Sequence, residues 1–178
     1  LTPPEWDVEI IDENLKIPDY MKLPRPDLVG ITAFTSQANR AYEIADKFRN
    51  MGIPVVMGGI HATLCCDETS LKVDSVVTGE AENVWPEILS DVQNGCLKPL
   101  YEGGQADMNN VEPARHDLTS SGYVYGSLQT TRGCPLNCSF CSVSAFNGRS
   151  YRHRPIEKVI NELKLMKEKN FLIVDDNL

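Results

Sequence analysis

The chain has 178 residues, 42% of them hydrophobic and 24% charged, which is long enough to bury a core and too apolar for wholesale disorder. Its formal net charge of −8 argues against a generic nucleic-acid binder, which needs a basic face, and no apolar run approaches the roughly 18 residues of a membrane span. The charge is uneven, with 20 acidic and 9 basic side chains in residues 1–120 against 5 and 8 in residues 121–178, and this asymmetry points to two regions with different roles.

In chain order, Val8 to Ile11 reads as a short strand and Asp27 to Phe34 as a second, rich in β-branched residues. Ala41, Ile44, Ala45 and Phe48 then fall at helical spacing with charged residues opposite, a helix capped by Ser36 and ended by Gly52. Ile53 to Met57 is a buried-type strand closed by Gly58-Gly59, and Val73 to Val77 is another, followed by Thr78-Gly79-Glu80. Val84, Trp85, Ile88, Leu89 and Val92 make a second helical stripe ending near Gly95. Strand and helix in alternation, with near-continuous apolar strands, predict a doubly wound, Rossmann-like parallel α/β sheet over residues 1–102. Ligands in such sheets sit outside the carboxyl ends of the strands, here Thr32 to Ser36, Gly58 to Thr63 and Thr78 to Glu82.

Residues 103–122 lack periodicity and are rich in Gly, Asn, Pro and Ser, the composition of an inter-domain linker. A second unit covers 123–178: a strand from Tyr123 to Thr131, a cysteine-bearing loop, a helix opening at Pro155 with Ile156, Val159, Ile160, Leu163 and Met166 as its apolar stripe, and a strand from Phe171 to Val174. One βαβ unit cannot close a core alone, so this domain is read as cut off. The first residue is Leu1 and no secretory signal is visible, so the start is read as missing too.

Of the six cysteines, Cys134, Cys138 and Cys141 crowd into eight residues as C-x3-C-x2-C. Without a secretory context such clustering favours metal or redox chemistry over disulfides, and a cytoplasmic location. Three thiolates on one loop are one short of the usual set for an iron–sulfur cluster and leave one iron open to a second molecule. A structural zinc knuckle is the bland alternative, but it wants a fourth ligand nearby, and His153 and Cys96 are both distant in sequence. The vicinal pair Cys65-Cys66 reads as small-residue packing. Arg149, Arg152, His153 and Arg154 read as a solvated or ion-paired face.

The stretch Arg132-Gly133-Cys134 to Cys141, with Phe140 before the last cysteine, resembles the C-x3-C-x-aromatic-C signature of the radical S-adenosylmethionine (SAM) superfamily. The resemblance implies a [4Fe–4S] cluster on Cys134, Cys138 and Cys141, SAM chelated through its amino and carboxylate groups at the open iron, and reductive cleavage to a 5′-deoxyadenosyl radical. It implies a partial (β/α) barrel around the loop, with the backbone at Phe140 near the adenine. Where most members carry a Gly-Gly-Glu-like motif for the SAM amino group, this chain has Asp175-Asp176-Asn177, which makes Asp175 and Asp176 SAM-binding candidates; a solvated turn is the plain alternative.

Upstream, Gly58-Gly59-Ile60-His61-Ala62-Thr63 and Gly79-Glu80-Ala81-Glu82 resemble the cobalamin-binding (B12) domain that precedes many such enzymes. The resemblance makes Thr32, Thr35, Ser36, Gly58, Gly59, His61, Gly79 and Glu80 the cobalamin-binding candidates. The D-x-H-x-x-G lower-ligand motif of that family is absent, and Glu80 and Glu82 also suit a helix N-terminus. The implied protein is a cobalamin-dependent radical SAM enzyme, in the first instance a methyltransferase acting on an unactivated carbon of a small-molecule or lipid-like substrate. An electron donor such as flavodoxin or ferredoxin would serve it. The alternatives are a non-methylating radical SAM enzyme with a degenerate B12 domain, and a non-catalytic binding module with a structural zinc site. The isolated chain is not expected to turn over.

Overall fold

Residues 1–119 and 122–177 are described by a computed structural model. They group into two units, one of Arg25–Ala106 with Leu1 and Ala145–Asn147, the other of Thr2–Pro24, Asp107–Ser144 and Gly148–Leu178. Among the described residues no helix is long and apolar enough to cross a membrane.

The first unit runs β1 (Val29–Thr32), α1 (Ala38–Asn50), β2 (Val55–Gly58), α2 (Gly59–Leu64), α3 (Cys66–Ser70), β3 (Ser75–Gly79), α4 (Trp85–Gln93) and β4 (Leu100–Gly104). The four strands form one parallel sheet in the order β1-β2-β3-β4, the α/β fold expected. No neighbour order reverses across these strands, so the ligand end is marked by their shared carboxyl edge. Val55, Val56 and Met57 of β2 are all buried, as a strand covered on both faces requires. Val56 and Val77 from the sheet meet Val84 and Ile88 at and within α4, and Tyr101 from β4.

The helix expected around Ala41 to Phe48 is α1, which buries Ala38, Ala41, Tyr42, Ala45 and Phe48. Ser36 does not cap it. A short turn at Thr35–Gln37 leads in, and the Phe34 N–H donates to Gln37 Oε1 at 3.1 Å, so the longer amide side chain closes the entry. Gly52 ends it as expected, its N–H donating to Arg49 O at 2.9 Å while Ile53 N donates to Phe48 O at 3.0 Å.

Two further segments depart from the sequence reading. Val8 to Ile11 is not a strand, and Ile10 and Ile11 are exposed; a strand needs a neighbour for its N–H and C=O groups, and no described strand pairs with this segment. Gly103 and Gly104, read above as the start of a linker, form the end of β4. The strand is short and glycine-ended, so its signal was weak. Tyr101 pins it: buried, it donates its hydroxyl to Asp91 Oδ2 at 2.7 Å and accepts the Lys98 N–H at 3.0 Å.

The second unit contains β5 (Gly126–Leu128), β6 (Thr131–Arg132), the one-turn α5 (Val143–Phe146, shared with the first unit), β7 (Arg152–His153), α6 (Ile156–Leu165) and β8 (Phe171–Ile173). β5 and β8 pair in parallel around α6, the βαβ unit expected. β6 and β7 pair antiparallel, Arg132 opposite Arg152. The apolar stripe of α6 differs from expectation: Ile156 and Ile160 are exposed while Glu162 is buried. Its carboxylate accepts from Ala114 N at 3.2 Å and from His116 Nε2 at 3.0 Å, and pairs with Arg154 Nη2 at 2.5 Å. Arg154 is therefore no solvated cation. It also donates Nη1 to Gln129 O at 2.8 Å and its own N–H to Thr130 O at 2.9 Å, which ties α6 to the chain that leads into the cysteine loop.

Candidate functional site

The first candidate region is the carboxyl edge of the four-stranded sheet. Thr32 ends β1, Gly58 ends β2, Gly59 opens α2 and Gly79 ends β3. Gly59 adopts φ +89°, and a Cβ there would stand 2.4 Å from Thr32 Oγ1. Gly79 adopts φ +73°, and a Cβ there would stand 2.6 Å from Gly104 O. Both positions need glycine, for the left-handed backbone and for the close approach. The two glycines let the backbone of this edge pack closely against Thr32 and Gly104. Thr63, which sequence reasoning did not single out, binds the two glycine turns together: its hydroxyl donates to Gly59 O at 2.9 Å and accepts the Gly79 N–H at 3.0 Å. The Gly-Gly-x-His-Ala-Thr spelling carried the signal, since Thr63 closes one helical turn after Gly59.

Thr35 and Ser36 sit on the exposed turn after β1. His61 and Glu80, expected to face a cofactor, point inward instead. The His61 ring is 2% exposed, with Nε2 at 2.8 Å from Tyr42 Oη and Nδ1 at 3.3 Å from Thr35 Oγ1. Tyr42 Oη also lies 3.2 Å from Thr69 Oγ1. With both ring nitrogens engaged, His61 braces Thr35 against α1 rather than offering a free imidazole. Ligand atoms of His61, Cys65 and Glu68 lie within 4.8 Å of one another, but the ring's existing partners would first have to leave. Glu80 is buried and its Oε2 accepts the Ala106 N–H at 3.1 Å, which anchors the chain beyond β4. Burial, then Asp67 and Glu102, push the Cys66 thiol up, which keeps it protonated and fits the packing role read for it.

The second region is the loop 133–151. The β6–β7 pairing closes its base, and Cys134 N donates to Gly148 O at 3.2 Å. Cys134 is half-buried; Cys138 and Cys141 are exposed, and all three are free thiols. Cys141 N donates to Cys138 O at 3.1 Å. The three sulfurs do not form a group within 4.8 Å among the described residues. Three thiols on one short loop are the donor type that an iron–sulfur cluster takes. Phe140 is 90% exposed at the loop's rim.

The chain after β8 turns its acids onto this loop. Asp175 Oδ1 accepts the N–H groups of Thr130 at 2.6 Å and Thr131 at 3.0 Å, and its Oδ2 accepts the Thr130 hydroxyl. Asp176 Oδ2 accepts the Gly133 N–H at 2.7 Å. Burial pushes the Asp175 carboxyl up, and the donations from Thr130 and Thr131 outweigh it and hold the group below its ordinary value.

Comparison with known proteins matches residues 4–89 to the B12 binding domain family and residues 128–175 to the radical SAM superfamily. The bacteriochlorophyllide d C-8(2)-methyltransferase of Chlorobaculum tepidum is 36% identical, with the match covering 100% of this chain and 44% of that protein. The anaerobic magnesium-protoporphyrin IX monomethyl ester cyclase of Rubrivivax gelatinosus is 28% identical, over 85% of this chain and 34% of that protein. The chain thus spans less than half the length of these relatives. Among solved structures, the radical SAM methyltransferase TsrM of Kitasatospora setae with cobalamin and a [4Fe-4S] cluster bound shares the fold, with TM-score 0.66 at 19% identity over 89% of this chain and 39% of that one.

Proposed function

Because the chain belongs to the radical SAM superfamily and carries a B12-binding domain ahead of its radical SAM segment, we propose that it is the cofactor-holding part of a cobalamin-dependent radical SAM methyltransferase. The observation that carries this reading is the cysteine loop. Its base is tied by β6 and β7, its three thiols are free, and its donor set suits a cluster. Cys134, Cys138 and Cys141 hold the [4Fe–4S] cluster in this proposal. Phe140, projecting from the rim, gives the adenine of SAM an apolar surface. Asp176 is the acid assigned to the SAM ammonium.

Thr32, Gly58, Gly59 and Gly79 form the cradle assigned to cobalamin, with Thr35 and Ser36 as polar groups on its rim and His61 as their brace. When bound, the cluster supplies an electron to SAM and the cobalamin carries a methyl group. The protein's share is to bind, orient and shield them. The substrate is proposed to be a small or lipid-like molecule, and the electron donor a flavodoxin or ferredoxin.

The similarity to a cyclase favours one second reading, a radical SAM enzyme that does not methylate. Products separate the two. Methyl transfer from SAM leaves S-adenosylhomocysteine, whereas hydrogen abstraction by the cleaved cosubstrate leaves methionine and 5′-deoxyadenosine. The protein at its natural length, incubated anaerobically with reductant, hydroxocobalamin, SAM and substrate, is expected to yield both S-adenosylhomocysteine and 5′-deoxyadenosine. 5′-Deoxyadenosine alone supports the non-methylating reading. Neither product, with the cluster in place, contradicts both.

A further inference from the structure

The acids after β8 have a use that the family resemblance does not assign. β5 and β8 run as a parallel ladder up to Leu128 opposite Ile173, and Val174 N still donates to Leu128 O at 2.9 Å. Beyond that point the first chain leaves the sheet to enter β6, and its next N–H groups lose the neighbouring strand. Asp175 takes over with its side chain, meeting Thr130 N and Thr131 N through one oxygen and the Thr130 hydroxyl through the other. Asp176 takes the N–H of Gly133. Gly133 is buried, adopts φ +87° and immediately precedes Cys134. Two adjacent acids thus hold three of the four residues that deliver the first cysteine. On the other side of the same segment, Arg154 holds the carbonyls of Gln129 and Thr130.

We infer that Asp175 is a positioning residue for the cysteine loop, acting on Cys134 through Thr130 and Thr131, and is not the acceptor of the SAM amino group. This rests on the reading of the loop as a cluster site. A carboxylate whose two oxygens already take three donors has little left for an ammonium, and a neutral side chain cannot hold all three as well.

The test uses the intact chain, reconstituted anaerobically with iron and sulfide. Wild type, Asp175→Ala, Asp175→Asn and Thr130→Val are compared for iron per chain, for the rate of iron loss to a chelator, and for the electron paramagnetic resonance (EPR) spectrum of the reduced cluster before and after SAM. Outer-shell partners of metal ligands typically govern affinity by roughly 10–100-fold, so Asp175→Ala is expected to lose iron at least tenfold faster and to show an altered spectrum before SAM is added. Asp175→Asn, which keeps the shape and one acceptor oxygen, is expected to fall between. Thr130→Val, which removes one donor, is expected to change the chelation rate by about threefold or less. If Asp175→Ala does not fold, the Asn and Val variants carry the test.

Wild-type iron retention and spectrum in the Asp175 variants overturn the inference. So does a normal cluster that has lost only its spectral response to SAM, which makes Asp175 the amino-group acceptor. Failure of the wild type itself to bind iron overturns the cluster reading first, and that result is distinct from either.

Discussion

Cys134→Ala is expected to leave the reconstituted chain without a [4Fe–4S] cluster, taking iron from about four per chain to near zero. Three thiolates are the fewest that hold such a cluster with one iron open, so two cannot compensate by small movements. The other cysteines lie outside the C-x3-C-x2-C motif. Cys65 and Cys66 lie at α2 and α3 in the first unit, and the exposed Cys96 follows α4. Cys138→Ala and Cys141→Ala are expected to do the same, whereas Cys96→Ala should keep its iron. Iron determination alongside the visible absorbance of the reconstituted protein checks all four. Full iron content in any of the three loop variants would exclude that cysteine as a ligand.

The second large effect is on stability. Glu162→Ala leaves the Arg154 guanidinium, whose side chain is 3% exposed, inside the second unit without its counter-charge. Removing one partner of a buried ion pair costs about 3–5 kcal/mol. It also strips the acceptor from Ala114 N and His116 Nε2. The signature of this mechanism is non-additivity: the Glu162→Ala/Arg154→Ala double variant is expected to be less destabilised than the sum of the two single variants. Urea denaturation of the four proteins measures it. Additive losses would show that the two side chains act independently.

The second unit was legible through its cysteine motif, whose residue types and spacing pointed to the superfamily that residues 128–175 match. The parallel sheet was legible for a similar reason: Val55-Val56-Met57 and Ser75-Val76-Val77 are strands buried on both faces, and such runs stand out. Glu162 was not, since a buried acid on a helix looks like surface until its partners Arg154 and His116 are known, and both come from outside α6. The inward turn of His61 was equally hidden. Its seat beside two glycines suggested a ligand contact, but the partners that hold it, Tyr42 and Thr35, lie 19 and 26 residues away in sequence. Asp175 shows the same limit from the other side. Its place at a strand end marked it for function, while its bonds to Thr130 and Thr131 depend on a parallel pairing that only the fold supplies. β4 escaped because a short strand ending in two glycines carries little β signal.

The central claim is that one chain holds both an iron–sulfur cluster and a cobalamin, and metal content tests it most directly. The intact chain, offered iron, sulfide, zinc and hydroxocobalamin without oxygen and then desalted, is analysed for Fe, Co and Zn. The account predicts about four iron and about one cobalt per chain, with zinc absent. Iron without cobalt would contradict the cradle at the sheet's carboxyl edge. Zinc without iron would contradict the cluster, and with it the assignment of a radical SAM activity.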